Sequence, residues 1–123
     1  MYTATDVATV DHELARSAQR AGLSIQQMSP RRLATIKVQL SRVLDLTDPD
    51  VLDVLGLSAE VLVDDDATVS RQIGEAAHHL GYEAILAPSA AGEGVVLAIF
   101  MDNRASTSVV ELTEVRDDHV PVE

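Results

Sequence analysis

Ser89 carries the single hydroxyl in the stretch PSAAGEG, residues 88–94, and two apolar runs flank that stretch, AILA before it and VVLAIF after it. A lone serine in a small, Gly-rich bend between two buried strands has two explanations. One is turn geometry, since Ser and Gly both favour tight bends. The other is a ligand pressed against the backbone, where small residues leave room for close approach. No GxSxG elbow surrounds Ser89, so the local sequence does not mark it as an activated nucleophile.

Other residue types with chemical potential read differently. Asp64, Asp65 and Asp66 run together, but they lack EF-hand spacing and sit directly before a helical pattern, which fits capping and solvation. His78 and His79 are adjacent, so on a helix their side chains diverge by about 100° and do not chelate one ion together. His12 and Glu13 do not form an HExxH motif, and no metal site is expected. Gly92 and Gly94 lack the spacing and the lysine of a phosphate loop.

The elements that must position these residues fit one domain of 123 residues. Apolar residues make up 46% of the chain, but aromatics only 2%, so the core is built from Val, Leu, Ile and Ala. The chain has no cysteine, which removes disulfides, thiolate metal ligands and thiol nucleophiles. No apolar run is long enough to span a bilayer and no signal peptide opens the chain, so a cytoplasmic protein without a membrane partner is expected. The net charge of −11 argues against direct nucleic-acid binding, which needs a basic surface. The charge is also lopsided. Residues 1–42 hold six basic and three acidic residues, and residues 43–123 hold three basic and 17 acidic ones.

Periodicity predicts an α+β fold with about five strands and three or four helices. A first helix runs from a Thr5 or Asp6 cap to Gly22, with Val7, Val10, Leu14 and Ala18 on its apolar face. Residues 23–32 read as a loop that Pro30 interrupts. LATIKVQLS alternates as a half-buried strand, with Ile36, Val38 and Leu40 on one side, and Val43, Leu44 and Leu46 extend it. TDPDVLDVLG is a short helix with a Thr47 or Asp48 cap and Gly56 at its end. Residues 64–81 form a further helix whose buried stripe is Val69, Ile73, Ala76, Ala77 and Leu80. The two apolar runs around Ser89 are central strands, SVVELTEV is a later strand, and residues 116–123 are a loose tail after a domain of residues 1–115.

Four segments in order resemble the RES-domain family: YTATDVATVDHE, RVLDLTDPDVLDVLGL, the helix ending GEAAHHLGYEAILAPSA, and the strand ending VVLAIF. The family takes its name from an Arg, a Glu and a Ser and supplies the toxin of bacterial toxin–antitoxin pairs. The resemblance implies a curved β-core with flanking helices, similar to ADP-ribosyltransferases. It implies NAD as substrate rather than cofactor, cleaved at the nicotinamide–ribose bond by hydrolysis or phosphorolysis. It also implies an Xre-type helix-turn-helix antitoxin as partner.

The family pattern maps onto Tyr2, Glu13 and Ser89, with Tyr2 closing a strand and Glu13 on the following helix. The resemblance gives Glu13 a role at the cationic ribose of the transition state, Tyr2 a stacking role at the nicotinamide, and Ser89 a hydrogen bond to the ribose or amide. The family's Arg precedes the Tyr on a strand that this sequence does not include, so the expected fold lacks its first strand. Two functions follow: an NAD-consuming toxin enzyme, or a non-catalytic RES domain that binds a partner. A free sheet edge near Tyr2 or strand 33–41 further predicts a homodimer, or a complex with an antitoxin, built on residues 1–42 and avoiding residues 45–66.

Overall fold

A computed structural model describes residues 1–27 and 31–121; Pro30 and residues 122–123 lie outside them. Among these residues the chain forms six strands, β1 (Tyr2–Ala4), β2 (Arg31–Gln39), β3 (Val43–Asp45), β4 (Ala84–Pro88), β5 (Val95–Ile99) and β6 (Val109–His119). The helices are α1 (Val7–Arg20), α2 (Pro49–Leu55), α3 (Ala59–Leu62) and α4 (Thr68–His79), with short 3-10 turns at Ile25–Gln27 and Met101–Asn103. The α+β class read from periodicity is the one observed.

Two sheets result. The larger has the order β1-β5-β4-β3, so the apolar runs on either side of Ser89 are its two inner strands. Their continuous apolar sequence has this cause, since an inner strand covered on both faces needs no polar alternation. β3 lies parallel to β4, and α2, α3 and α4 make the crossover between them. Leu46, Ala77 and Ile85 are buried at the centre of this layer, with Leu44, Val51, Leu52, Leu62, Ile73, Tyr82, Ala87 and Phe100 packed around them. The apolar stripe of α4 is narrower than the sequence suggests. Ala77 is buried and Ile73 joins the core, but Ala76 and Leu80 are exposed.

The second sheet is a ribbon of β2 and β6 alone. This corrects two expectations. Residues 43–46 do not extend β2, because the chain breaks at Ser41 and Arg42 and β3 enters the other sheet. Residues 116–119 are not loose, because β6 continues through His119, opposite Arg31. The alternation of β2 is as expected. A register shift between Thr35 and Ile36 leaves Thr113 unpaired in β6. That extra residue puts the pairs Ala34–Val115, Ile36–Leu112 and Val38–Val110 on one face of the ribbon, although Leu112 and Val115 stand three apart. Charged and polar pairs, Lys37–Glu111 and Thr35–Glu114, take the other face.

Glu83 ties the two sheets together. It is only 2% exposed. One carboxylate oxygen accepts from the Ser41 N–H at 2.7 Å, the Ser41 hydroxyl at 3.1 Å and the Arg42 N–H at 2.9 Å. The other accepts from the Ala105 N–H at 2.8 Å and from the Ser108 hydroxyl. These donors hold its pKa down at about 2, the Ala105 N–H contributing most, then Ser108 and Arg42. A folded-state value below the usual value of about 4.3 means stability present above that pH and lost as pH falls toward 2. Chemical denaturation at pH 7 and pH 3 should show a large acid loss in the native chain. Glu83→Gln should be destabilised at pH 7 and should lose less on acidification.

Candidate active site

Helix α1 carries the centre of the site. Asp6 caps it, its side chain accepting from the Thr9 N–H at 2.7 Å, and Gly22 follows its end with φ +77°. The face it buries is not the one its apolar spacing suggests. Thr9, Asp11 and Ala18 are buried, and Val7 is exposed. Thr9 is buried because the β4–β5 turn lies on it. Gly94 has φ +113°, and a Cβ there would sit 2.0 Å from the Thr9 Oγ1. At Gly92 a Cβ would make only ordinary contact, 3.4 Å from the His12 Nδ1. Gly94 therefore admits the helix against the turn, which is a third reason for a glycine here beside hairpin geometry and ligand approach.

That close approach brings Ser89 to Glu13. The Ser89 hydroxyl donates to the Glu13 Oε1 at 2.6 Å and accepts from the Ala91 N–H at 3.1 Å. Ser89 is 4% exposed, and its own N–H donates to the Gly94 carbonyl at 3.0 Å, closing the turn. Tyr2 opens β1 rather than closing it, and the strand lies at the sheet edge against β5. The Tyr2 phenol has its pKa raised from the usual 10, first by partial desolvation and then by the nearby Glu13 charge, with Arg16 opposing. The three residues singled out by sequence thus lie near one another, Ser89 hydrogen-bonded to the Glu13 carboxylate and Tyr2 within reach of its charge.

Two open clefts lie along α1; Tyr2, Glu13 and Ser89 line neither, but their sequence neighbours His12, Ala90 and Ala91 line one. One, of about 440 Å³, is lined by His12, Ala15, Arg16, Gln19, Ala90 and Ala91. The other, of about 600 Å³, is lined by Arg16, Gln19 and Arg20 of α1 and by Asp65, Asp66, Ala67 and Arg71. Arg16 and Gln19 line both, so the two clefts are adjacent. Within the groove the Arg16 guanidinium contacts the Asp65 Oδ1 at 2.8 Å, and Arg20 stands 3.8 Å from the same oxygen. The His12 Nδ1 is buried without a hydrogen-bond partner.

Sequence reasoning expected the small residues around Ser89 to face a ligand, and Ala90 and Ala91 do line one cleft, but it placed no residue of α1 in the groove. Its signal was present in the spacing of Glu13, Arg16 and Arg20, which at i, i+3 and i+7 share one helical face. The three aspartates divide as turns and pair. Asp66 accepts from the Thr68 N–H and hydroxyl, Asp64 accepts from the Asp66 N–H, and Asp65 reaches across to α1. His78 pairs with Asp102 at 2.8 Å. The pair of His119 and Asp11, 2.7 Å apart and largely buried, was not foreseen either; it pins the end of β6 to α1.

A model of the RES domain matches residues 1–122. The chain belongs to the RES domain family. It is 32% identical over 102 residues to proteins named NAD(+) phosphorylase MbcT from Mycobacterium bovis and Mycobacterium tuberculosis. That alignment takes in 81% of this chain and 55% of theirs, so the chain spans about half the length of these relatives. A crystal structure of the M. tuberculosis MbcT–MbcA toxin–antitoxin complex superposes with a TM-score of 0.82 at 28% identity, over 97% of this chain and 66% of the other. The RES assignment and its α+β fold, read first from four short segments, therefore hold along the chain.

Gly94 gives a direct test of how the turn positions Ser89. Gly94→Ala should destabilise the fold, because a Cβ overlaps Thr9 in a backbone conformation that disfavours side chains. Adding Thr9→Ala should restore part of the loss, measured by thermal denaturation.

Proposed function

We propose that this RES domain cleaves the nicotinamide–ribose bond of NAD, as a growth-arresting toxin in the cytoplasm. The observation that carries the reading is the hydrogen bond of the buried Ser89 hydroxyl to Glu13, with Tyr2 near the same carboxylate and a cleft lined by the sequence neighbours His12, Ala90 and Ala91. Breaking the bond releases neutral nicotinamide and leaves positive charge on the ribose. A carboxylate fixed beside that carbon stabilises the charge as it develops and aligns the attacking oxygen of phosphate or water. Ser89 acts through Glu13. Its hydroxyl holds one carboxylate oxygen in place, so little reorganisation accompanies the reaction. The exposed part of Tyr2, which is 64% exposed as a residue, offers an aromatic surface to the flat nicotinamide. The name of the MbcT relatives supports phosphate as the acceptor.

The partner in this reading is an antitoxin of the Xre helix-turn-helix type that covers the groove. The toxin–antitoxin complex of the structural relative supports an antitoxin of some kind. The chain also forms a homodimer through the apolar face of the ribbon, with Ile36 and Val38 of β2 joined by Leu112 and Val115 of β6. An isolated two-stranded ribbon with an exposed apolar face is marginal in water and gains from being covered.

Incubation of the purified chain with NAD, with and without phosphate, tests the activity by release of free nicotinamide. Glu13→Gln should slow release by on the order of a hundredfold, as for loss of one acid–base or electrostatic contribution. Release at the native rate would remove Glu13 from the chemistry, and no release by the native chain would defeat the enzymatic reading.

Light scattering tests the dimer. The native chain should run at twice 13.2 kDa, and Leu112→Glu should shift it to the monomer. A native monomer would end this part of the proposal.

A further inference from the structure

We infer that Asp65 is a built-in stand-in for a ligand phosphate, occupying an anion site between Arg16 and Arg20 that the diphosphate of a dinucleotide takes over on binding. This rests on the NAD reading for the identity of the ligand, though not for the existence of the site. Asp65 reaches Arg16 and Arg20 through a single oxygen, at 2.8 and 3.8 Å, across 49 positions of sequence. Its side chain is 93% exposed, whereas that of Arg16 is 21% exposed. The guanidinium is thus held in the groove wall while the carboxylate comes to it from solvent.

Arg71 lines the same cleft, so three guanidinium groups border a space that contains one paired carboxylate. Asp66 also lines that cleft, but its carboxylate is committed to the Thr68 N–H and hydroxyl. The cleft adjoins the one beside Ala90 and Ala91 across Arg16 and Gln19, and Arg16 is close enough to act on the Tyr2 phenol. Glu13 and Arg20 are separated by about 10 Å along the helix, a span within the length of one extended dinucleotide.

The energetics make Asp65 displaceable. An exposed ion pair is worth about 0–1 kcal/mol, because water screens it and the side chain loses freedom. A phosphate offers two oxygens to the planar fork of an arginine and carries more charge, so it forms the stronger pair. Removing the competing carboxylate should therefore tighten anion binding by about two- to fivefold, the range that an exposed pair accounts for. The site is also a brake, since Asp65 raises the ligand concentration at which the groove fills.

The test is calorimetric titration of inorganic pyrophosphate into the full chain at low salt, beside NAD turnover. Asp65→Asn should bind pyrophosphate about two- to fivefold more tightly and should lower the KM for NAD with kcat unchanged. Arg16→Gln should weaken pyrophosphate at least tenfold, and Arg16→Lys should restore part of the loss. Asp53→Asn, an equal charge change on exposed α2, should alter neither. The idea is overturned if Asp65→Asn leaves pyrophosphate affinity unchanged and only lowers the melting temperature, or if the native chain binds no pyrophosphate at millimolar concentration. If pyrophosphate binds in the expected order but no nicotinamide is released, the anion site stands and the NAD-cleavage reading fails.

Discussion

The buried carboxylate of Glu83 is the constraint on which the arrangement of the two sheets depends. A charge out of water is costly unless hydrogen bonds replace its hydration. Glu83 obtains five of them, from Ser41 and Arg42 at the end of β2 and from Ala105 and Ser108 just before β6. Both strands of the ribbon therefore leave from one fixed point at the start of β4. At the far end, His119 and Asp11 fasten the ribbon to α1. Two polar ties, rather than a shared apolar layer, set where the ribbon sits. Its apolar face is left exposed as a consequence.

Helix α1 meets three neighbours, the ribbon, the β4–β5 turn and the segment before α4, through four different chemistries. Asp11 takes the ribbon, Thr9 takes the glycine backbone of the β4–β5 turn, Glu13 takes Ser89, and Arg16 takes Asp65. This explains why Thr9 and Asp11 are buried on a helix that has Val7 to spare. The helix is held by shape and hydrogen bonding as much as by apolar area. A packed interface of this kind resists small shifts, and it keeps Glu13 within hydrogen-bond distance of a residue 76 positions away.

Much of this was legible in the sequence where a local rule decides the outcome. The Asp6 and Asp48 caps, the end of α2 at Gly56 and the central placement of the two apolar runs follow from capping, left-handed turns and continuous apolar sequence. Tyr2, Glu13 and Ser89 were found through their family pattern, because nothing local distinguishes Glu13 from an ordinary helical glutamate. What was not legible depends on partners distant in sequence. Glu83 and Asp65 find donors 25 or more positions away at their farthest, and no spacing rule anticipates such pairs. The break between β2 and β3 was hidden for a related reason. Val43 and Leu44 suit a strand, but which sheet receives them is decided by the parallel partner β4.

If NAD is the ligand, as proposed, an anion must approach a strongly acidic chain. Residues 43–123 carry a net −14, from three basic and 17 acidic residues, which at long range repels a dinucleotide. At physiological salt that repulsion fades beyond about 8 Å, so only the charges that border the groove decide the outcome. There the balance reverses. Arg16, Arg20 and Arg71 outnumber Asp65 and Asp66, and one of the two acids is bound to its own turn. The lopsided charge of the sequence thus has a spatial meaning. The helix that presents the carboxylate of Glu13 also presents two of the cations, one and two turns further on. On the proposed NAD reading, attraction for the diphosphate and stabilisation of the ribose cation come from a single element, and the helix fixes their separation.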